Sequence, residues 1–377
     1  MLLGSNNADN YCVIGFWSWV FDLAVPDSAA RRLASRKNLC KELFIDRSCM
    51  RLERPSTANF VFSGGKRLVL GDSLLLEGLE DKDVFAYTMN KYAADKIPYT
   101  ILLPYDAHLN VKEQVKLPST PAVLKQPLGC CGEGVFFVYS TEDILRKVAE
   151  DYERATKEKG FLEDIMRSKQ RIPMWVLQSE VRSLPILGNR KFHLRTYVLI
   201  REHPTVGPVA LMYTKNHEVR VAAEAMNGAS GFQQDYLSRN RMQHITNGAG
   251  GSNTIRMILG DISEICHLRG KLEDFVSRLF GIDLKDEFMQ RYISSFSDSK
   301  DPIVERFVVC GLDVMVDEAE NLFVLEVNRN PGVPPEHSLT GMDNFKMHLV
   351  QFAGDLYQQL RLEYPETAHG FERLPKS

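Results

Sequence analysis

The feature that most constrains this chain is a pair of apolar runs near its C-terminal end. Residues 307–316 read FVVCGLDVMV, residues 322–328 read LFVLEVN, and the acidic turn DEAEN joins them. Such runs around a polar turn predict an antiparallel hairpin. Strand alternation puts Gly311, Asp313 and Met315 on one face of the first strand. It puts Val324, Glu326 and Asn328 on one face of the return strand. If Asp317 pairs with Leu322 across a four-residue loop, Asp313 faces Glu326 and Asn328 lies one step along. Opposed carboxylates repel, and apolar neighbours leave little water to screen them. A bound cation removes the conflict. Two carboxylates and an amide suit Mg2+, which binds one or two carboxylates together with substrate phosphates. A solvent-facing polar stripe is the competing reading.

Three further segments carry chemistry. In Lys191-Phe-His-Leu-Arg-Thr-Tyr197, alternation puts Lys191, His193 and Arg195 on one face and Phe192, Leu194 and Val198 on the other. A row of cationic side chains asks for an anion, such as a polyphosphate or carboxylate. Arg220, within VRVA, is placed to join it. Lys125 precedes a glycine-rich turn, residues 129–134 (GCCGEG). No GK[ST] follows, so this is not a Walker A loop, yet backbone N–H groups of such a turn can still hold phosphate. His244, Thr246 and Asn247 stand beside a run of glycines, again compatible with a nucleotide.

Around these motifs the chain reads as mixed α+β. Residues 122–125 and 135–139 flank the glycine turn as strands. Ser140 and Asp143 have the spacing of a capping box, opening a helix. Residues 174–178, 191–200, 209–213 and 219–222 read as strands. Residues 262–280 read as an amphipathic helix stopped by Gly281. Phe345, Leu349, Phe352, Leu356 and Leu360 form the apolar stripe of a last helix. This order argues against a doubly wound Rossmann sheet. The proline-bearing segment 99–121 looks like a connection between units.

Composition narrows the class. With 25% charged and 44% hydrophobic residues, the 377-residue chain is an ordinary globular one, of two to three domains' length. A net charge of −3 gives no reason to expect nucleic acid. The charge is uneven: residues 31–54 hold eight bases against three acids. That stretch is either a solvated face or a surface for an acidic partner. Seven cysteines without a CxxC pair indicate a reducing compartment. The strongest apolar run, residues 12–21, is too short to span a bilayer and reads as a buried strand or short helix. Trp17 and Trp19 are then core residues. No membrane is expected.

The order of these motifs resembles the tubulin–tyrosine ligase family, which is built on the ATP-grasp fold. The resemblance rests on AVLKQPLGCCGEGV, VLQSEV, RKFHLRTYV, HITN and GLDVMVDEAENLFVLEVNRNPG, from about Ala122 to Gly332. It implies an ATP-grasp body of mixed and antiparallel sheets with flanking helices, preceded by a small N-terminal α/β unit. The expected division is residues 1–90, 91–190 and 191–377. It further implies that Lys125 and Lys191 hold ATP, with Glu133 and Gly134 in a loop above it. Gln178, Ser179, Glu180 and Val181 line the adenine. Arg195 and Arg220 hold phosphates or the carboxylate substrate, and His244, Thr246 and Asn247 border the triphosphate. Asp313, Glu326 and Asn328 bind Mg2+, with Glu326 also counted among the catalytic groups.

Three departures stand out. His193 replaces the aspartate of a K-F-D pattern, Ser179 stands where a basic residue usually follows the glutamine, and glycines follow Asn247. The expected activity is ATP-dependent ligation of an amino acid to a protein acceptor, in first place the acidic tail of tubulin. The setting would be the cytoplasm, with the cytoskeleton as partner and a monomer as the working form. A catalytically inactive module and a ligase with a non-tubulin acceptor are the alternatives.

Overall fold

A computed structural model describes residues 9–13, 18–25, 30–32, 60–64, 67–71, 79–105, 117–126, 134–157, 173–203, 205–226, 246, 254–283, 304–329 and 331–375. In chain order, β1 (Asp9–Val13), α1 (Ser18–Ala24), β2 (Ala30–Arg32), β3 (Phe60–Gly64) and β4 (Arg67–Gly71) come first. Next are α2 (Lys82–Tyr92), β5 (Thr100–Pro104), β6 (Ala122–Lys125), β7 (Val135–Val138), α3 (Thr141–Lys157) and β8 (Met174–Ser179). The long strand β9 (Phe192–His203) leads to β10 (Gly207–Tyr213), β11 (Glu218–Val221) and β12 (Ile255–Ile258). Then follow α4 (Leu268–Arg278), β13 (Val304–Val316), β14 (Leu322–Arg329), α5 (Asp343–Arg361) and β15 (Phe371–Arg373).

The strands form two sheets, one of eleven strands and one of four ordered β5-β8-β6-β7, among the described residues. The centre of the larger sheet is the antiparallel pair β9–β13. Strand β9 also pairs with β10 and β11 in succession. On its far side β13 pairs with β14 over residues 310–316 and, in parallel, with β4 over residues 304–307. The N-terminal strands thus continue the sheet that carries the C-terminal hairpin.

Alternation along β9 sorts the interior. Phe192, Leu194, Val198 and Ile200 join one core, with Leu268, Leu272 and Val276 of α4 and Phe85 and Met89 of α2. Tyr197 and Leu199 face the other core, under α5 and beside Val20 and Phe21 of α1. The expected stripe Phe345, Leu349, Phe352, Leu356 and Leu360 is fully buried there. A third core fills the space between the small sheet and α3, around Trp175. Helix α3 starts as the sequence indicates: Asp143 N–H donates to Ser140 Oγ at 3.1 Å. The acid reaches back to the N–H of Tyr139 rather than to that of Ser140.

Five expectations need correction or completion; the segment 99–121, expected as a connection between units, holds β5, an edge strand of the small sheet. The helix expected over residues 262–280 is α4 alone, preceded by turns and followed by a π-helical turn, Leu279–Asp283, that contains Gly281. Its apolar residues Ile262 and Ile265 are buried from the turns instead, so periodicity alone overestimated the helix. The strand expected at 219–222 is one residue earlier, at β11. The run 12–21 holds both a strand end and a helix start; Trp17 and the Trp19 side chain lie outside what is described. Arg31 and Arg32 lie in β2, while the remainder of the basic stretch, residues 33–54, lies outside the described residues. Among the described residues no helix is long and apolar enough to cross a membrane.

Candidate active site

A cavity opens between the two sheets. Its lining includes Val123 and Lys125 of β6, Phe137 of β7, Gln178 of β8, His193 of β9, Asp313 of β13 and Glu326 of β14. Segments far apart in sequence therefore converge, and the cause is the sheet register. Asp313 lies opposite both Arg195 on β9 and Glu326 on β14. Arg220 on β11 lies opposite His193.

The expected opposition of Asp313 and Glu326 is observed, by a route different from the expected one. The turn pairs Val316 with Leu322, not Asp317 with Leu322. A β-bulge beyond Asp313/Val314 then restores the register, so that Gly311 faces Asn328. The extra residue is Leu325. Val324, expected on the acidic face, is buried in the core, and Leu325 lines the cavity beside Glu326. An extra residue in one strand reverses strict alternation at that point.

Asp313 is the electrostatic centre. Arg195 grips it with two bonds, Nε to Oδ1 at 2.6 Å and Nη2 to Oδ2 at 2.7 Å. The Asn328 amide donates to Asp313 Oδ2 and to Glu326 Oε1, each at 3.2 Å. Burial alone would raise the Asp313 carboxyl; the charge of Arg195, with His193 beside it, holds it well below the ordinary carboxylate range. His193 bonds Thr246 Oγ1 through Nδ1, and its Nε2 stands 3.6 Å from Asp313 Oδ1.

The row of cations is met within the chain. Lys191 Nζ donates to Glu180 Oε1 at 2.6 Å, both side chains almost fully buried. Burial pushes Lys191 down and Glu180 up, and their mutual attraction opposes both shifts. Arg220 and Arg256 share the fully buried Glu218, at 2.8 and 2.7 Å, and Tyr197 donates to it at 3.0 Å. Burial would raise Glu218, but the charges of Arg220, Arg256 and Arg195 keep it ionised. The argument that this face must borrow an outside anion is therefore corrected: protein carboxylates already balance it.

Lys125 differs from these. Desolvation lowers its pKa to about 8, with Lys82 adding to the fall and Glu326 and Asp313 opposing it. Its strand hydrogen-bonds into β7, and Gln126 N–H donates to Gly134 O at 2.7 Å, closing the base of the glycine turn. Gly134 has φ +69°, and a Cβ there would come within 2.5 Å of Gln126 Oε1, so this position requires glycine. Gln126 in turn donates to Asp151 of α3 at 2.9 Å. Gln178 donates to Thr100 Oγ1 at 2.9 Å. The N–H groups of Ser179 and Glu180 go to Tyr99 O and Ser119 Oγ.

Of the residues singled out from sequence, ten line this one cavity: Lys125, Gln178, Ser179, Glu180, Val181, Lys191, His193, Thr246, Asp313 and Glu326. Arg195 and Asn328 join through Asp313, and Arg220 lies behind them on Glu218. Gly134 marks the base of the turn. Glu133, His244 and Asn247 lie outside the described residues. Sequence reading missed Lys82, at the start of α2 in the cavity wall, and the pair Glu218–Arg256. Glu218 was findable, since it shares a strand face with Arg220 two residues on. Arg256 was not, because its pairing with β11 spans a long connection.

Residues 79–248 match the Tubulin-tyrosine ligase family, which bears out the resemblance read from the motifs. Similar curated proteins include Tubulin glycylase 3C of Tetrahymena thermophila, 24% identical over 181 residues. That alignment covers 45% of this chain and 16% of the relative. Tubulin glycylase 3D of the same organism is 23% identical over 192 residues, covering 48% of this chain and 18% of the relative. The chain thus spans less than a fifth of the length of these relatives. The matched region holds the predicted nucleotide-side residues and stops before β13, so the acidic hairpin stands on its own geometry.

Proposed function

We propose that this chain is an ATP-dependent carboxylate–amine ligase that adds an amino acid to a protein acceptor, in first place the acidic tail of tubulin. The observation that carries the reading is the meeting of Lys125, Lys191, Asp313 and Glu326 in one cavity between two sheets, with Asn328 bonded to both carboxylates. The two-sheet grip is the arrangement an ATP-grasp body requires.

In this reading the terminal phosphoryl group of ATP moves to the acceptor carboxylate, giving an acyl phosphate and ADP. The amine of the incoming amino acid then attacks the acyl carbon and expels phosphate. The protein's part is positioning and charge stabilisation. Lys125 holds phosphate oxygens, and Lys191, fixed by Glu180, lines the base of the nucleotide site. Glu180 C=O and Val181 N–H are the backbone groups that a base would meet, since the N–H groups before them are engaged. The oxygen donors Asp313, Glu326 and Asn328 fit Mg2+, provided the Asn328 amide turns its oxygen inward. The ion would supply neutralisation of the transferring phosphoryl oxygens. Arg195 orients Asp313, and Arg220, held on Glu218, closes the phosphate side. Arg31, Arg32 and the bases that follow them would attract an acidic tail.

The test is ATP-dependent incorporation of labelled glycine, glutamate or tyrosine into tubulin, with Glu326→Gln as control. Glycine is the first choice because the similar proteins are named as tubulin glycylases. Equal incorporation by the variant would remove the metal role. A second reading, a module that binds ATP without turnover, draws on His193 in place of the family's aspartate. It predicts thermal stabilisation by ATP with Mg2+ and no incorporation of any amino acid.

A further inference from the structure

We propose that His193 is a nitrogen ligand in a mixed imidazole–carboxylate metal site with Asp313, Glu326 and Asn328, and that this site prefers Mn2+ to Mg2+. The inference rests on the ligase reading only in using the same carboxylates.

The imidazole is 2% exposed. Its Nδ1 is engaged by Thr246 Oγ1, while Nε2 is buried with no hydrogen-bond partner. Buried polar atoms are rarely left so. Nε2 points at Asp313 Oδ1 from 3.6 Å, too far for a hydrogen bond. Two donors that each sit about 2.1 Å from one ion stand roughly 3.0–3.5 Å apart. The observed gap is thus close to that of two ligands sharing a metal. When Nδ1–H donates to Thr246, Nε2 carries the lone pair, and metal-binding histidines are held in this way by an outer partner.

The carboxylate side is prepared as well. The Asn328 amide nitrogen spans Asp313 and Glu326 at 3.2 Å each, occupying the position where a cation would bridge them. Among the described residues no three His, Cys, Asp or Glu side chains already stand at ligand spacing. Binding therefore draws the half-buried Glu326 side chain toward His193 and turns the Asn328 amide over. Arg195 keeps Asp313 oriented while this happens. A neutral imidazole adds a donor without adding charge; Mg2+ is held by oxygen ligands, while Mn2+, the first-row ion that shares its carboxylate and phosphate chemistry, also accepts a nitrogen donor.

Pulsed EPR of Mn2+ bound to the full chain, with and without a non-hydrolysable ATP analogue, reads the ligand directly. The expected spectrum contains 14N coupling from a directly bound imidazole. In His193→Asp that coupling disappears, and the Mn2+ over Mg2+ affinity ratio falls about tenfold or more. Thr246→Ala keeps the coupling and weakens Mn2+ by about tenfold. Mn2+ bound without 14N coupling in the wild-type chain overturns the proposal and leaves the ligase reading standing on an all-oxygen site. Coupling that persists in His193→Asp also overturns it. Failure to bind Mn2+ at all overturns it together with the metal clause of the proposed function.

Discussion

At the scale of single residues, Asp313 and Glu326 look equivalent in sequence and are not equivalent in the fold. Asp313 is buried and carries the two-bond grip of Arg195. Removing it leaves a buried guanidinium without its partner, which costs about 3–5 kcal/mol. Asp313→Ala should therefore unfold at clearly lower denaturant, whatever its effect on activity. Glu326→Gln, partly exposed, should keep its midpoint in the same denaturant titration and lose turnover. Lys125 gives a second prediction. Its pKa is lowered to about 8 by desolvation, so the apo side chain loses its positive charge as pH rises through that value. Binding an anion favours the protonated form. Nucleotide affinity should therefore fall as pH rises from 8 to 9 and stay flat in Lys125→Arg. Calorimetric titration across that range checks it, and proton uptake on binding should accompany it.

At the scale of elements, the acidic hairpin and the glycine hairpin were legible because local chemistry writes them. Apolar alternation, a polar turn and a helix cap all lie within a few residues of each other. The bulge at Leu325 was not legible, since a strand of apolar residues gives no sign of which one is extra. Nor was the start of α4, where buried isoleucines in the preceding turns imitate helical spacing. Glu218 and Arg256 needed pairing across segments that no local pattern joins. The bulge also yields a test. Deleting Leu325 removes the extra residue, and plain pairing from Val316–Leu322 then still sets Glu326 opposite Asp313 and Asn328 opposite Gly311. The variant should keep metal and nucleotide binding in calorimetry, and a loss of both would show that the bulge itself places Glu326. Ser140→Ala, which removes the cap of α3, should cost only about 1 kcal/mol.

At the scale of the whole molecule, the N-terminal strands are tied to the hairpin that holds the acidic residues. Strand β4 covers the part of β13 that β14 does not reach, and α1 packs on α5. A fragment beginning at residue 79, where the family match begins, would expose that β13 edge and the apolar surface under Val20 and Phe21. An uncovered edge invites pairing with other chains. Such a fragment should aggregate in size-exclusion chromatography where the full chain does not. The large sheet therefore makes the site a property of the entire chain, with the small sheet as its other jaw. The central claim is that this cavity joins an amino acid to an acidic protein tail at the expense of ATP. Mass spectrometry of tubulin tails after incubation with the protein, ATP, Mg2+ and all amino acids tests it most directly. The account predicts a mass increase of one or more amino-acid residues that requires ATP and is absent with Glu326→Gln. Unchanged tails, under conditions where ATP stabilises the protein, would contradict it.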